Sequence, residues 1–137
     1  MRLWDHVEKL ARAYTIKGTR LWTNLAPNAP RGEWGLLVDP LPSDRIREGP
    51  LFEAVQRLLP VRTTTVQCNK FTSHEQCKFH VDKRNVGDSF LAILGDCEGG
   101  ALRLADGRHF AQKRCWHVYN GSQVGHVVEP FLSLIHI

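Results

Sequence analysis

The chain has no run of about 18 or more apolar residues, so no stretch of it is long enough to cross a membrane as a helix. Its start, MRLWDHVEKLARAY, is charged throughout and lacks the apolar core of a secretory signal. The expectation is an intracellular protein, cytoplasmic or nuclear, without a membrane partner. Cysteine is sparse: Cys68, Cys77, Cys97 and Cys115 lie at irregular spacing, which without an export signal favours free thiols over a disulfide framework. Dense basic runs, internal repeats and low-complexity tracts are all missing, and methionine occurs only at Met1.

What is present fits one domain. The 137 residues are 42% hydrophobic, enough for a core of ordinary size. The net charge of +4 and a pI near 9.1 favour anionic partners, nucleic acid among them. Solvated surface Lys and Arg account for the same balance equally well.

Leu3, Val7, Leu10, Ala11 and Tyr14 recur at helical spacing and predict an amphipathic helix over residues 2–14. Pro27, Pro30, Pro40 and Pro42, with Pro50 just beyond, mark an irregular connection that has room for one short strand at 34–38. Residues 51–59 read as a second helix, stopped by Pro60. The pattern then changes. Residues 61–69 are rich in β-branched side chains, and short candidate strands follow at 77–82, 89–94, 101–104, 115–120 and 125–128. Gly95, Gly99–Gly100, Asp106–Gly107 and Asn120–Gly121 punctuate them. The expected class is mainly β, a sandwich or barrel over 61–131, with 1–60 packed on it as a helical and irregular segment.

His80 and Asp82 are the chemical signal. In a strand, residues two apart face the same side, so an imidazole and a carboxylate would point at one place. Two His and one carboxylate on one face of a metal leave coordination positions open. His126, in the strand-like VGHVVEP, is the best third ligand. His74 falls in a loop, His6 on the first helix, and His109 and His117 lack the same following context. A rival grouping, Cys68, Cys77, His74 and His80, could bind zinc, but the two cysteines lack the close spacing of common structural zinc sites. Trp4, Trp22, Trp34 and Trp116 read as core rather than as base-stacking platforms.

HVDKRNVGDSFLAIL, then GDCEGGALRL, RCWHVYNG and GHVVEPF, resembles the core of the Fe(II)/2-oxoglutarate-dependent dioxygenases over roughly half the chain. The resemblance implies a double-stranded β-helix, a jelly roll, with Fe(II) on His80, Asp82 and His126 and 2-oxoglutarate and dioxygen at the open positions. It implies an oxygenase that yields succinate and a hydroxylated C–H bond. HVDKRN is most similar to the TET methylcytosine and J-binding-protein thymine dioxygenases, which carry HxDxxN. That likeness puts a methylated nucleic-acid base first among substrates and gives Asn85 a base-contacting role. Capping of the 85–87 turn explains Asn85 as well. Asn69 in VQCNK is open in the same way between a substrate contact and a strand-end turn. Protein side chains and small molecules are alternative substrates, and a cupin-like jelly roll that binds metal without oxidative chemistry is the non-enzymatic reading.

One feature departs from the family. Its members use an Arg after the distal His to pair the far carboxylate of 2-oxoglutarate. No Arg or Lys follows His126, and Arg103, Arg108 and Arg114 are the substitutes at hand. The last residues, LSLIHI, match the translation of a common sequencing-library adapter. On that reading 132–137 is read-through, and the chain is a fragment whose own closing strand, with its Arg, is missing. The alternative is a genuine strand, which Leu132, Leu134 and Ile135 suit.

Overall fold

The computed structural model describes residues 2–20, 41–71, 79–82, 85–95, 98–131 and 134–136. The expected strand at 34–38 lies outside them, as do His74 and Cys77 of the alternative zinc cluster. Among the described residues no helix is long and apolar enough to cross a membrane.

The molecule is mainly β, with antiparallel sheets and two helices among the described residues. Helix α1 spans Arg2–Ala13 and α2 spans Pro50–Leu58. Pro50 opens α2, where its missing N–H costs nothing, and Gly49 at φ 97° supplies the cap. On α1 Val7, Glu8 and Ala11 are buried, Trp4, Leu10 and, just past its end, Tyr14 are partly buried against the same cluster, and Leu3 is left about half exposed. The expected face therefore holds except at Leu3, and Trp4 joins it by packing its ring against Trp116, 5.1 Å between centroids.

The described residues hold ten strands, in chain order β1 (Thr19–Arg20), β2 (Leu41–Ile46), β3 (Val66–Phe71), β4 (Ser89–Leu91), β5 (Ile93–Leu94), β6 (Leu102–Leu104), β7 (His109–Phe110), β8 (His117–Tyr119), β9 (His126–Val128) and β10 (Leu134–His136). They form a five-stranded sheet in the order β1-β2-β3-β10-β5, a three-stranded sheet β7-β6-β9 and the pair β4-β8. β2 falls in the proline-rich stretch read as irregular. Pro42 lies outside the β2–β3 ladder, which begins at Ser43↔Asn69, so its missing donor interrupts nothing there. The expected strand at 61–69 starts only at Val66, since the Gln56 side chain binds the Val61 carbonyl and the Thr63 N–H and holds that stretch as a turn. The run at 89–94 is two strands, with β4 paired to β8 and β5 to β10.

Two apolar clusters separate the layers. Val66, Cys68, Ala92 and Leu94 pack under the helices against Val7, Ala11, Leu51 and Val55. Phe71, Ile93, Leu91, Leu102, Leu104 and Tyr119 fill the space between the sheets. Cys68 is fully buried, and burial pushes its thiol up to about 11. That leaves it inert at neutral pH and on the helix side of the sheet, in a different cluster from the one that surrounds β9.

Glu8 ties α1 to the β layers. Its carboxylate accepts from the Gly95 N–H at 2.8 Å and from Arg114 Nε and Nη2 at 2.7 and 2.6 Å, with Arg12 at 3.3 Å. Burial alone would raise its pKa, but these donors outweigh it and hold the carboxyl below the usual glutamate range. A depressed folded pKa gives stability that is present above the unfolded value and lost as pH falls through the folded one. The stability difference between wild type and Glu8→Gln should therefore be full at neutral pH, about 1–3 kcal/mol for a charged hydrogen-bond acceptor. It should shrink below roughly pH 4.5, the unfolded value. Urea denaturation of both proteins at pH 7 and pH 3 checks this, and an undiminished difference at pH 3 would contradict the assignment.

Candidate metal centre

Of the expected strand at 77–82, the described residues 79–82 hold only an isolated bridge at His80; His80 and Asp82 stand two apart in it, with Phe79 and Val81 buried beside them. His80 forms an antiparallel bridge to His126: the His80 N–H donates to the His126 carbonyl at 3.2 Å, and the reverse bond is 3.0 Å. Directly paired residues in a sheet present their side chains on the same face. The bridge therefore brings the two imidazoles together, and their centroids lie 4.2 Å apart, edge to face.

Asp82 completes the group. Its Oδ1 lies 3.6 Å from His80 Nε2, and its Oδ2 lies 3.2 Å from His126 Nε2. Ligand atoms from all three residues fall within 4.8 Å of one another, so the group could hold a metal ion. Two donors at right angles on a metal with bonds of about 2.1 Å lie about 3 Å apart, close to the spacing seen. The His126 Nδ1–H donates to the Val124 carbonyl at 2.9 Å, which fixes the tautomer and leaves the Nε2 lone pair for a metal. The two imidazoles are buried at 6% and 2% exposure, while the Asp82 side chain is 23% exposed, so the carboxylate side is the one reached from solvent.

The turn after β8 builds the rest. Gln123 and Val124 donate their N–H groups to the Asn120 carbonyl, and the Ser122 hydroxyl donates to Asn120 Oδ1 at 2.8 Å. That turn delivers the Val124 carbonyl to His126. Gly121 accepts from the Asp82 N–H at 2.7 Å, and a Cβ on it would stand 3.3 Å from Asp82 Oδ2 and 2.8 Å from Ser89 Oγ. The glycine lets these side chains pack close to the turn. Tyr119 packs edge to face on His126 at 5.0 Å.

The remaining candidates lie elsewhere. His109 pairs with Glu129, and His117 bonds the Gln112 carbonyl at 2.7 Å while stacking on Phe110. His6 is exposed on α1. Asn85 is exposed beside the centre, its N–H bonded to the Asp82 carbonyl and its side-chain amide donating to Ser89 Oγ at 3.1 Å. Asn69 lies on β3, where its Oδ1 accepts from Ser43 Oγ and Gln67 Nε2. Arg108 pairs with Asp106, and Arg114 with Glu8. Arg103 lies over the Phe79 ring at 5.1 Å; its register partner is Val127, whereas Leu104 is the one opposite His126. The Asn120–Gly121 turn is legible in the sequence, but nothing there marks Val124 or Tyr119 as part of the centre. Val124 acts through a backbone atom, which leaves no mark in residue type, and Tyr119 reads from the sequence as one more core aromatic.

Comparison of the chain with family models, with curated proteins and with solved structures finds no match.

Proposed function

We propose that this chain is an Fe(II)- and 2-oxoglutarate-dependent oxygenase that hydroxylates a C–H bond. The observation that carries the reading is the convergence of His80, Asp82 and His126, with His126 held by a backbone carbonyl so that Nε2 is left to ligate. Two neutral imidazoles and one carboxylate form the donor set of oxygen-activating non-haem iron, and they leave positions open for a bidentate acid and dioxygen. When bound, iron with its 2-oxo acid supplies the oxidising chemistry. The protein's share is to hold the three donors on one side, keep two of them dry and leave the Asp82 side open. The strand pairing supports a jelly roll: β3, β10 and β5 form one layer, and the His80 bridge, β9, β6 and β7 line up in the other.

Among substrates a methylated nucleic-acid base stands first. Asn85 supports this by its place at the open side of Asp82, where its exposed amide can reach a base edge, and the basic charge of the chain adds to it. None of the residues Arg103, Arg108 and Arg114 is paired across a ladder with His126, and no Arg or Lys follows it. In the assay the co-substrate is supplied at millimolar concentration, so that a weak hold on its far carboxylate does not mask turnover. The test is succinate release with Fe(II), dioxygen and an oligonucleotide carrying methylated cytosine. Metal-dependent succinate formation that disappears in His80→Ala is the expected result. A protein that binds iron tightly and yields no succinate at any 2-oxoglutarate concentration would instead be a metal-binding jelly roll without oxidative chemistry.

A further inference from the structure

Among the described residues, nothing bonds the hydroxyl of Tyr119. The residue is only 6% exposed and belongs to the core between the sheets. Its ring touches His126 edge to face at 5.0 Å and lies near Phe110 at 6.1 Å. The same point beside Gly121 is 3.3 Å from Tyr119 Cε2 and 3.3 Å from Asp82 Oδ2, so the phenol edge and the carboxylate flank one glycine. Tyr14, the other tyrosine, shows the ordinary solution: its hydroxyl donates to Asp44 Oδ2 at 2.9 Å. A phenol keeps its proton at neutral pH, so the oxygen can donate that proton or act as a neutral acceptor.

A buried hydroxyl without a partner is costly, and phenylalanine would fill the same space without that cost. Buried polar groups that remain unpaired in a native fold call for a ligand or water to satisfy them. The rotational freedom of the O–H suits a ligand that arrives later. We infer that the Tyr119 hydroxyl is the hydrogen-bond donor to an oxygen of a small carboxylate ligand held at the His80, Asp82 and His126 centre. The inference rests on reading that centre as a metal site with open positions. A carboxylate is the fitting class because a neutral O–H gains most from an anionic oxygen, and a metal at the centre offsets the repulsion between that anion and Asp82.

The experiment uses Co(II), whose visible bands report its ligands, and oxalate, a bidentate carboxylate that needs no distant cation. Tyr119→Phe removes one oxygen and keeps the ring. In the metal-free state the variant should melt at the same temperature as wild type or higher, because no internal bond is lost. Its Co(II) affinity is measured first, so that oxalate binding is compared at equal metal occupancy. Its dissociation constant for oxalate, read from the Co(II) bands, should rise about tenfold or more, the scale of a hydrogen bond to a charged group. A lower melting temperature in the metal-free variant would overturn the inference, since the hydroxyl would then serve the resting fold. So would equal oxalate affinity, or a Co(II) spectrum that oxalate does not change in either protein. The proposed activity fails separately: oxalate binding that depends on Tyr119, together with no succinate from 2-oxoglutarate, keeps this inference and removes the oxygenase.

Discussion

His126→Ala and Asp82→Asn are each expected to lose metal binding, whereas His117→Ala keeps it. The three triad side chains supply one donor apiece, and no other described His, Cys, Asp or Glu stands in a group able to replace one. Loss of even an outer hydrogen bond to a ligating His weakens metal binding about 10–100-fold, so loss of the ligand itself should exceed about 100-fold. Asp82→Asn is the sharper variant, because it keeps the shape and removes the charge. A metal supplied at 100 times its dissociation constant stabilises the wild type by about 2.7 kcal/mol, or roughly 10 °C in melting temperature for a chain of this size. That shift should vanish in both variants and persist in His117→Ala, whose imidazole is bonded to the Gln112 carbonyl. Calorimetric titration with Co(II), beside melting curves with and without metal, checks both statements. Retention of the shift in His126→Ala, with its loss in His117→Ala, would move the distal ligand to β8 and undo the assignment of the centre.

Gly99→Ala should destabilise the chain by about 2–4 kcal/mol. Gly99 has φ 74°, a left-handed conformation that costs a residue with a Cβ about 1–2 kcal/mol. Steric conflict adds more. A Cβ there would lie 2.0 Å from the Pro130 carbonyl oxygen, and backbone cannot rotate aside as a side chain can. The contact is part of the sheet: Gly99 bridges Phe131, Gly100 donates to the same Pro130 carbonyl at 3.0 Å, and Glu129 donates to Ala101. Pushing 130 away therefore disturbs the segment that leaves β9, four residues from His126. Gly87→Ala and Gly107→Ala separate the conformational cost from the steric one. Both glycines have positive φ, at 73° and 99°, with open space where a Cβ would go, so each should lose only about 1 kcal/mol. Denaturant midpoints of the three variants measure this. Equal losses at all three would mean that the close approach of 99 to 130 contributes nothing.

By itself the sequence determined the class of elements and the identity of the candidate ligands. Helical spacing marks α1 and α2 to within a residue of their ends, because a stripe of apolar side chains must face a core and repeats with the turn of the helix. The alternation at His80 and Asp82 puts both on one face, since strand periodicity is local. The third ligand can be named from its context, but its convergence depends on an antiparallel bridge between residues far apart in the chain. Pairing of that kind leaves no local trace, because hydrogen bonding between strands uses backbone groups that every residue but proline carries alike. For the same reason β2 lies hidden among prolines, β7 has no signature of its own, and the run at 89–94 gives no hint that it divides between two partners. Glu8 shows the opposite case. A charge on the buried face of a helix looks misplaced in sequence, and only the fold brings Gly95 and Arg114 to it from about a hundred residues away. The tertiary structure alone decided which carbonyl orients His126 and which buried phenol packs against the centre. These are matters of distance between segments, which residue type does not encode.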